Sequence, residues 1–381
     1  MRFSLHLTAF FLVTLVCCAA CAPNDVVPDA PIVRGSTLTL AQVPQADPPA
    51  FAVSGDHVLA FWIGSDDRGV HHDARIARRD AAEPALTLPL PPVHPFAQTA
   101  VNSTNGAALL FWLDENPDTP ERAALYAARI GADLRVERGP VAVSDTPVYD
   151  YTAQTDGEGG AWIVWSGGAA AEPVLYARQI DRDGRPLEPG RVGASGTAPA
   201  LTYDAQGRRW LFWLANGQVW RGAFSRGQID GEPEALTAAI QMDPGDRLTG
   251  LAAGSDGRLG YVFWNVARRD GENETWLVVG SFNDPYWAQP RLLTNASGAP
   301  ARFATPLDQP ASPLPIAVVD ADGITLRFGV DGLLGESYLV LSPAELLRAP
   351  LLKAQPDGEL LLAWAAPSGE TASLNLLRLS R

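Results

Sequence analysis

Cysteine is missing from the last 360 residues of this 381-residue chain: Cys17, Cys18 and Cys21 stand together near the start and none follows. A disulfide framework is therefore excluded. Lysine is as scarce, since Lys353 is the single one, and Schiff-base chemistry or a phosphate-binding lysine has almost no candidate. Beyond residue 20 the histidines are His57, His71, His72 and His94, all in one stretch, which rules out a multi-histidine metal site gathered from across the fold. Positive charge is in deficit too. Lys+Arg 29 against Asp+Glu 43 gives a net −14, so nothing supplies the basic field that nucleic-acid binding needs, and no nucleic-acid partner is expected. No stretch keeps helical periodicity long enough to build βαβ crossovers.

What is present begins with an export segment. Arg2 gives a positive start, residues 7–16 are mostly apolar, and Ala19 and Ala20 are small, the layout of a secretory signal peptide over residues 1–20. The apolar run is too short to span a bilayer comfortably. Cys18-Ala19-Ala20-Cys21 resembles the lipobox of bacterial lipoproteins, with Cys18 standing where leucine is usual. The resemblance implies that Cys21 becomes the acylated N-terminus. It also implies a lipid-anchored, extracytoplasmic protein of the bacterial envelope, periplasmic or surface-exposed, that touches the membrane through its lipid only. Residues 21–35 hold the lipidated cysteine and a Pro-rich polar tether, APNDVVPDAP at 22–31.

Residues 36–381 repeat one unit. Short apolar strands end in tryptophan: LAFW at 59–62, LLFW at 109–112, WIVW at 162–165, WLFW at 210–213, YVFW at 261–264 and LLAW at 361–364, with IAVV at 316–319 in the same slot. A period near 50 residues is that of a propeller or array. Each unit divides into four strands. The first turns at a pair such as Asp156-Gly157, Gln206-Gly207 or Asp256-Gly257, residues that tolerate positive φ. The tryptophan strand follows, apolar on both faces as a sheet between sheets must be. A third strand alternates, as in LYAARI at 125–130, and the fourth is short. The reading is all-β, a seven-bladed propeller with four antiparallel strands per blade. The last unit ends one strand short, and STLTL at 36–40 reads like a fourth strand, so the N-terminal strand is expected to complete the last blade and close the ring.

The segment LYARQIDRDGRPLEPGRVGASGTAPALTYDAQGRRWLFW at 175–213 is similar to a repeat of exported bacterial β-propellers, of the type LYARRID, DG, PL, then DGG and LVVW. The resemblance implies a propeller in an extracytoplasmic setting and no single activity.

Candidate functional residues cluster in predicted connections. His71 and His72 stand beside Asp66 and Asp67, and because adjacent strand residues face opposite ways, at most one of the two histidines joins those carboxylates. Asp114 and Glu115, with Asp118 and Glu121, and Asp270 with Glu272 and Glu274, fill the same connection in two other units. Carboxylates so spaced are ligands of the calcium type, so calcium is the one cofactor considered. Trp287 falls outside the repeat position, on a predicted loop, and Asp308 is a further candidate near the ring mouth. The third-strand arginines Arg75, Arg129, Arg178, Arg327 and Arg378 are expected to form a snorkelling surface row. One face, made by the second-to-third and fourth-to-first connections, carries the variable loops 64–73, 114–122, 265–275 and 298–315. The functional expectation is a binding or scaffold module that recognises an envelope protein or glycan through that face. The alternative is a hydrolase of glycosides or lactones with an acidic, metal-assisted site at the ring mouth.

Overall fold

The computed structural model describes residues 33–43, 49–67, 69–78, 81–91, 94–116, 119–237, 242–297, 302–304, 311–320, 323–336, 338–341, 350–355 and 358–380. They form seven antiparallel sheets arranged as the blades of a propeller. The third blade shows the unit: an inner strand Val148–Thr155, a second strand Ala161–Ala169, a third strand Glu172–Ile180 and an outer strand Gly190–Ser195. Buried apolar residues fall into seven clusters, one for each seam between neighbouring blades, and the seam between the last and first blades is filled like the others by Leu40, Trp62, Leu361 and Leu374. The ring is therefore closed by packing as well as by pairing.

Closure uses the N-terminal strand as expected. Val33–Val43 pairs antiparallel with Thr371–Ser380, in the register Leu38 to Leu376 and Val43 to Ala372, beginning three residues earlier than the sequence pattern indicates. It is the outer strand of the last blade, whose remaining strands are Leu351–Ala354, Leu360–Ser368 and Thr371–Ser380.

The hairpins between inner and second strands turn where an aspartate precedes the glycine. Asp156 Oδ1 accepts hydrogen bonds from the backbone N–H groups of Glu158 and Gly160, and Asp204 and Asp256 do the same two blades in succession. The carboxylate supplies the acceptor that the reversing backbone lacks, and Gly157, with φ at +85°, supplies the conformation.

The repeated tryptophans are core. Trp62, Trp112, Trp165, Trp213, Trp264 and Trp364 are each at most 4% exposed. In four consecutive blades the third strand sets an aromatic ring directly opposite: Trp112 on Tyr126, Trp165 on Tyr176, Trp213 on Trp220 and Trp264 on Trp276, all stacked at centroid separations of 5.6 to 6.5 Å. Cross-strand pairs of this kind stabilise a sheet beyond the area they bury.

Two expectations need correction. The third-strand arginines that the structure resolves by contact do not snorkel. Arg178 Nη1 donates to the carbonyls of Ala142 and Val143 in the preceding blade, Arg129 bonds Glu137 and Ser103, and Arg378 bonds Glu359. For Arg178 the carbonyls of the adjoining blade lie within reach, and for Arg129 and Arg378 a carboxylate of their own blade does; charge-assisted bonds to these acceptors hold the guanidinium groups. Segment 298–315 is not one connection either: Arg302–Ala304 forms the inner strand of the sixth blade and pairs with Leu314–Asp320. The sixth blade is irregular in a second respect, since both Leu333–Leu334 and Tyr338–Leu341 pair with its third strand, Gly323–Val330.

Side chains on inner strands stitch blade to blade around the axis. The Tyr151 hydroxyl donates to the carbonyls of Ala97 and Phe111, that of Tyr203 to the Thr155 carbonyl, and the Val53 N–H bonds Asn102 Oδ1. Lys353, 7% exposed, reaches from the seventh blade past the first to donate to the Ala100 carbonyl of the second at 3.1 Å, with its ammonium 5.4 Å from the Phe51 ring centre. The chain's single lysine is thus a buried inter-blade tie.

Candidate functional site

Inner strands start at one face of the ring, so the fourth-to-first and second-to-third connections surround one end of the central channel, and the hairpins with the aspartate turns surround the other. The first face collects most of the residues singled out by sequence. Asp66 and Asp67 sit at the exposed turn between His57–Asp66 and Gly69–Ala77. His71 lies on the next strand with Nε2 3.3 Å from Asp73 Oδ2 and Nδ1 3.1 Å from the Gly69 carbonyl, and its distance to Asp66 is 3.9 Å. Thr87 Oγ1 donates to the other oxygen of Asp73 at 2.8 Å, so this aspartate is held from two sides.

His72 points the other way, into the seam with the second blade, as alternation requires. It is 0% exposed; Gln98 Nε2 lies 2.7 Å from its Nδ1, and its ring sits 4.7 Å from the Trp112 ring, edge on. With the Gln98 amide donating to Nδ1, the imidazole is neutral and carries its hydrogen on Nε2. Burial, helped by His71, pulls its pKa down to about 4. In the unfolded chain it returns to the ordinary value of 6.5, so unfolding takes up a proton between those values and stability falls as the pH drops through the window. The expected cost between pH 7 and pH 4 is about 3 kcal/mol. Urea unfolding of wild type and a His72→Gln variant at both pH values measures it; the variant should lose less by about that amount.

In the second blade, Asp114 is 5% exposed and accepts the His94 N–H at 3.0 Å; burial raises its pKa. It ties the ends of two strands together. Glu115 follows it, half-buried and paired in register with His94. Asp118 and Glu121 carry no described side chain. In the fifth blade, Asp270 caps its own turn by accepting the Glu272 N–H at 3.1 Å. Beside that turn Arg268 binds both Asp246 at 2.7 Å and Glu274 at 2.6 Å, and these bonds hold the pKa of each carboxylate down. Among the described residues, no three His, Cys, Asp or Glu side chains converge as metal ligands. The acids of this face are largely used to hold its connections in shape.

Trp287 is elsewhere. It belongs to the connection between Glu272–Ser281 and Arg291–Ser297, at the opposite face, where its Nε1 donates to the Ser281 carbonyl at 2.9 Å. Its ring rests on Gly260 and Gly280, paired across two strands, where any Cβ would fall within 2.6 Å of the indole. Arg221, 2% exposed, covers it from the fourth blade at 5.1 Å, while also bonding Glu234 and the carbonyls of Ser281 and Asp284. Trp287 is a wedge between blades, and the binding-face assignment made from sequence does not hold for it. Cys21 and Asp308 lie outside the described residues.

Sequence reasoning passed over Tyr149 and Asp150. Both are exposed at the start of the third blade's inner strand, at the channel mouth, where the register shifts between Val148 and Asp150. Asp150 stands exposed there, with its carboxylate accepting the Tyr151 N–H at 2.8 Å. The run VYDY at 148–151 offered two polar residues where a buried inner strand would alternate, and that was the available signal.

No protein-family model matches the chain, and no curated protein matches its sequence. Solved structures share its architecture. The polysaccharide lyase Uly1 superposes with a TM-score of 0.58 at 10% identity, over 89% of this chain and 91% of that one. YCF48 bound to D1 peptide gives 0.52 at 13% identity, over 91% and 94%. The WD40 domain of Toxoplasma gondii coronin gives 0.52 at 9% identity, over 92% and 88%. At these identities the likeness is one of fold.

Proposed function

We propose that this chain is a lipid-anchored, extracytoplasmic binding module that recognises an envelope protein or glycan through the face bearing the second-to-third and fourth-to-first connections. The observation that carries this reading is how the acids of that face are used. Asp73, Asp114, Asp246, Asp270 and Glu274 each hold a loop or strand end in place, so polar connections stand in fixed positions on a ring stitched blade to blade. Loops fixed on a rigid scaffold are a recognition surface. The fold neighbours include both a polysaccharide lyase and a protein bound to a peptide, so the choice rests on this chain's own residues.

The anchoring part rests on the sequence of residues 1–21. A Cys21→Ala variant should leave the membrane fraction, and its retention there would place the anchor elsewhere. For recognition, a soluble form lacking residues 1–21 should bind envelope material saturably. A combined Asp67→Asn and Asp270→Asn change should weaken that binding more than Arg258→Ser on the opposite face does. Turnover of a glycoside or lactone, abolished by Asp114→Asn or Asp150→Asn, would replace this reading with the hydrolase alternative.

A further inference from the structure

The strand that follows the tether fixes which face of the ring lies nearest to residue 21. Val33–Val43 is the fourth strand of the last blade, and it begins opposite Ser380, at the end of the blade where the aspartate hairpins and the third-to-fourth connections lie. From there it runs 11 residues, about 35 Å, to the face proposed for recognition. The segment from Cys21 to Val33 reaches at most about 40 Å when fully extended. To bring the recognition face to a bilayer, that segment would have to run back along the whole blade with almost no slack. The opposite face meets the bilayer with most of that reach unused.

That opposite face also carries apolar side chains that the protein leaves in water. Tyr286 is 85% exposed, the most exposed large apolar residue among those described, and Leu333 and Leu187 are 46% and 45% exposed. Each stands where a third strand passes to a fourth, in the fifth, sixth and third blades respectively. Equivalent connections of a propeller lie at about one level around its axis, so the three share a rim. Single exposed apolar residues are ordinary surface. Tyr286 differs because its loop is held from several sides. Arg208 Nη2 donates to Asn283 Oδ1 at 2.7 Å, Arg221 Nη2 to the Asp284 carbonyl at 2.6 Å, the Tyr286 N–H to Asp284 Oδ1 at 2.8 Å and the Ala288 N–H to the Val279 carbonyl at 3.0 Å.

Charges on the rim are of both signs. Arg185, Arg258 and Arg291 stand among Asp183, Asp284 and Asp331; Arg258 pairs with Asp331 at 2.7 Å, and Arg291 bonds the Gly332 carbonyl at 3.3 Å. With the whole chain at −14, this mixed rim offers no basic field to an anionic surface. What it presents to a membrane is its apolar groups.

We propose that this rim rests on the bilayer that holds the lipid anchor, with Tyr286 at the headgroup level and Leu187 and Leu333 beside it, so that the recognition face is turned away from the membrane. A tyrosine, apolar in its ring and polar at its hydroxyl, suits that boundary. Three side chains alone hold a membrane weakly. The anchor raises their effective concentration to the order of millimolar, and the contact then sets orientation rather than attachment. This inference rests on reading the chain as lipid-anchored, and it places the region that a partner offers to the recognition face about 35 Å or more from the bilayer.

Fluorescence quenching of the acylated chain in phosphatidylcholine vesicles tests it. Acylation consumes Cys21, so a cysteine introduced at one exposed site takes the label alone. A label at Glu188→Cys or Gln289→Cys should lose most of its emission when the vesicles carry a nitroxide on the lipid headgroup, and one at Asp67→Cys or Glu172→Cys should lose almost none. Changing Tyr286, Leu187 and Leu333 together to serine should abolish this difference between the faces while the chain still sediments with the vesicles. The melting temperature should stay that of wild type, because the three side chains are exposed. High salt should leave the quenching pattern unchanged, and adding phosphatidylglycerol should not strengthen it. Stronger quenching at Asp67 and Glu172, or equal quenching at all four sites, would overturn the orientation. Quenching at Glu188 and Gln289 that persists in the triple variant, or that grows with phosphatidylglycerol and vanishes in salt, would overturn the apolar contact. A chain without an acyl group that stays free of the vesicles would sink the anchor reading and this inference with it, whereas an acylated chain quenched on the wrong face sinks this inference only.

Discussion

Deleting residues 22–44 is expected to leave a chain that aggregates or unfolds at a much lower temperature, because the ring then ends in an unpaired strand. The removed strand carries Leu40 and Val43, 1% and 4% exposed, packed with Phe51, Trp62, Leu374 and Leu376 in the seam between the last and first blades. Losing those two side chains alone removes roughly 3–6 kcal/mol of apolar burial. The backbone ladder to Thr371–Ser380 is lost with it, and that strand becomes a sheet edge open to pairing with another chain. Melting temperature and light scattering of the deleted and full soluble chains are the measurements. Unchanged values would mean that the three remaining strands of the last blade close the ring unaided.

Trp165→Ala should cost about 3–5 kcal/mol, the range for truncating a large buried aromatic side chain. Trp165 is 0% exposed in the seam between the second and third blades and stacks on Tyr176 at 5.6 Å. Tyr176 is only partly buried, so Tyr176→Ala should cost less, and the double variant should lose less than the two single changes together because they share the stacked pair. A chemical-denaturation series on the three variants checks both the size and the coupling. A nearly neutral Trp165→Ala would mean that the repeated tryptophans are not what joins the blades.

The architecture was legible because its cause is periodic. A strand buried on both faces must be apolar throughout, and one such strand per blade writes a period near 50 that ends in tryptophan at the same place each time. The missing last strand and the spare first strand followed from the same count. Departures arose where a neighbouring blade, unseen in the local sequence, decides the outcome. Arg178 looked like a surface residue until the carbonyls of Ala142 and Val143 came within reach. Trp287 looked like a free loop aromatic because its seat is two glycines, Gly260 and Gly280, which carry no pattern that names their occupant. His71 and His72 divided between two faces as strand alternation requires, one toward Asp73 and one into the seam beside Trp112. Asp150 was hidden for another reason: its exposure comes from a one-residue bulge, and alternation patterns fail at bulges.

Recognition through one face is the central claim, and a photo-crosslinking amino acid placed singly at Asp67, Tyr149 and Asp270 on that face, and at Glu158, Gln206 and Arg258 on the other, tests it most directly in intact cells. Adducts to one and the same envelope component should form from the first three positions and not from the second three. Adducts from the second three alone, or equally from all six, would contradict it.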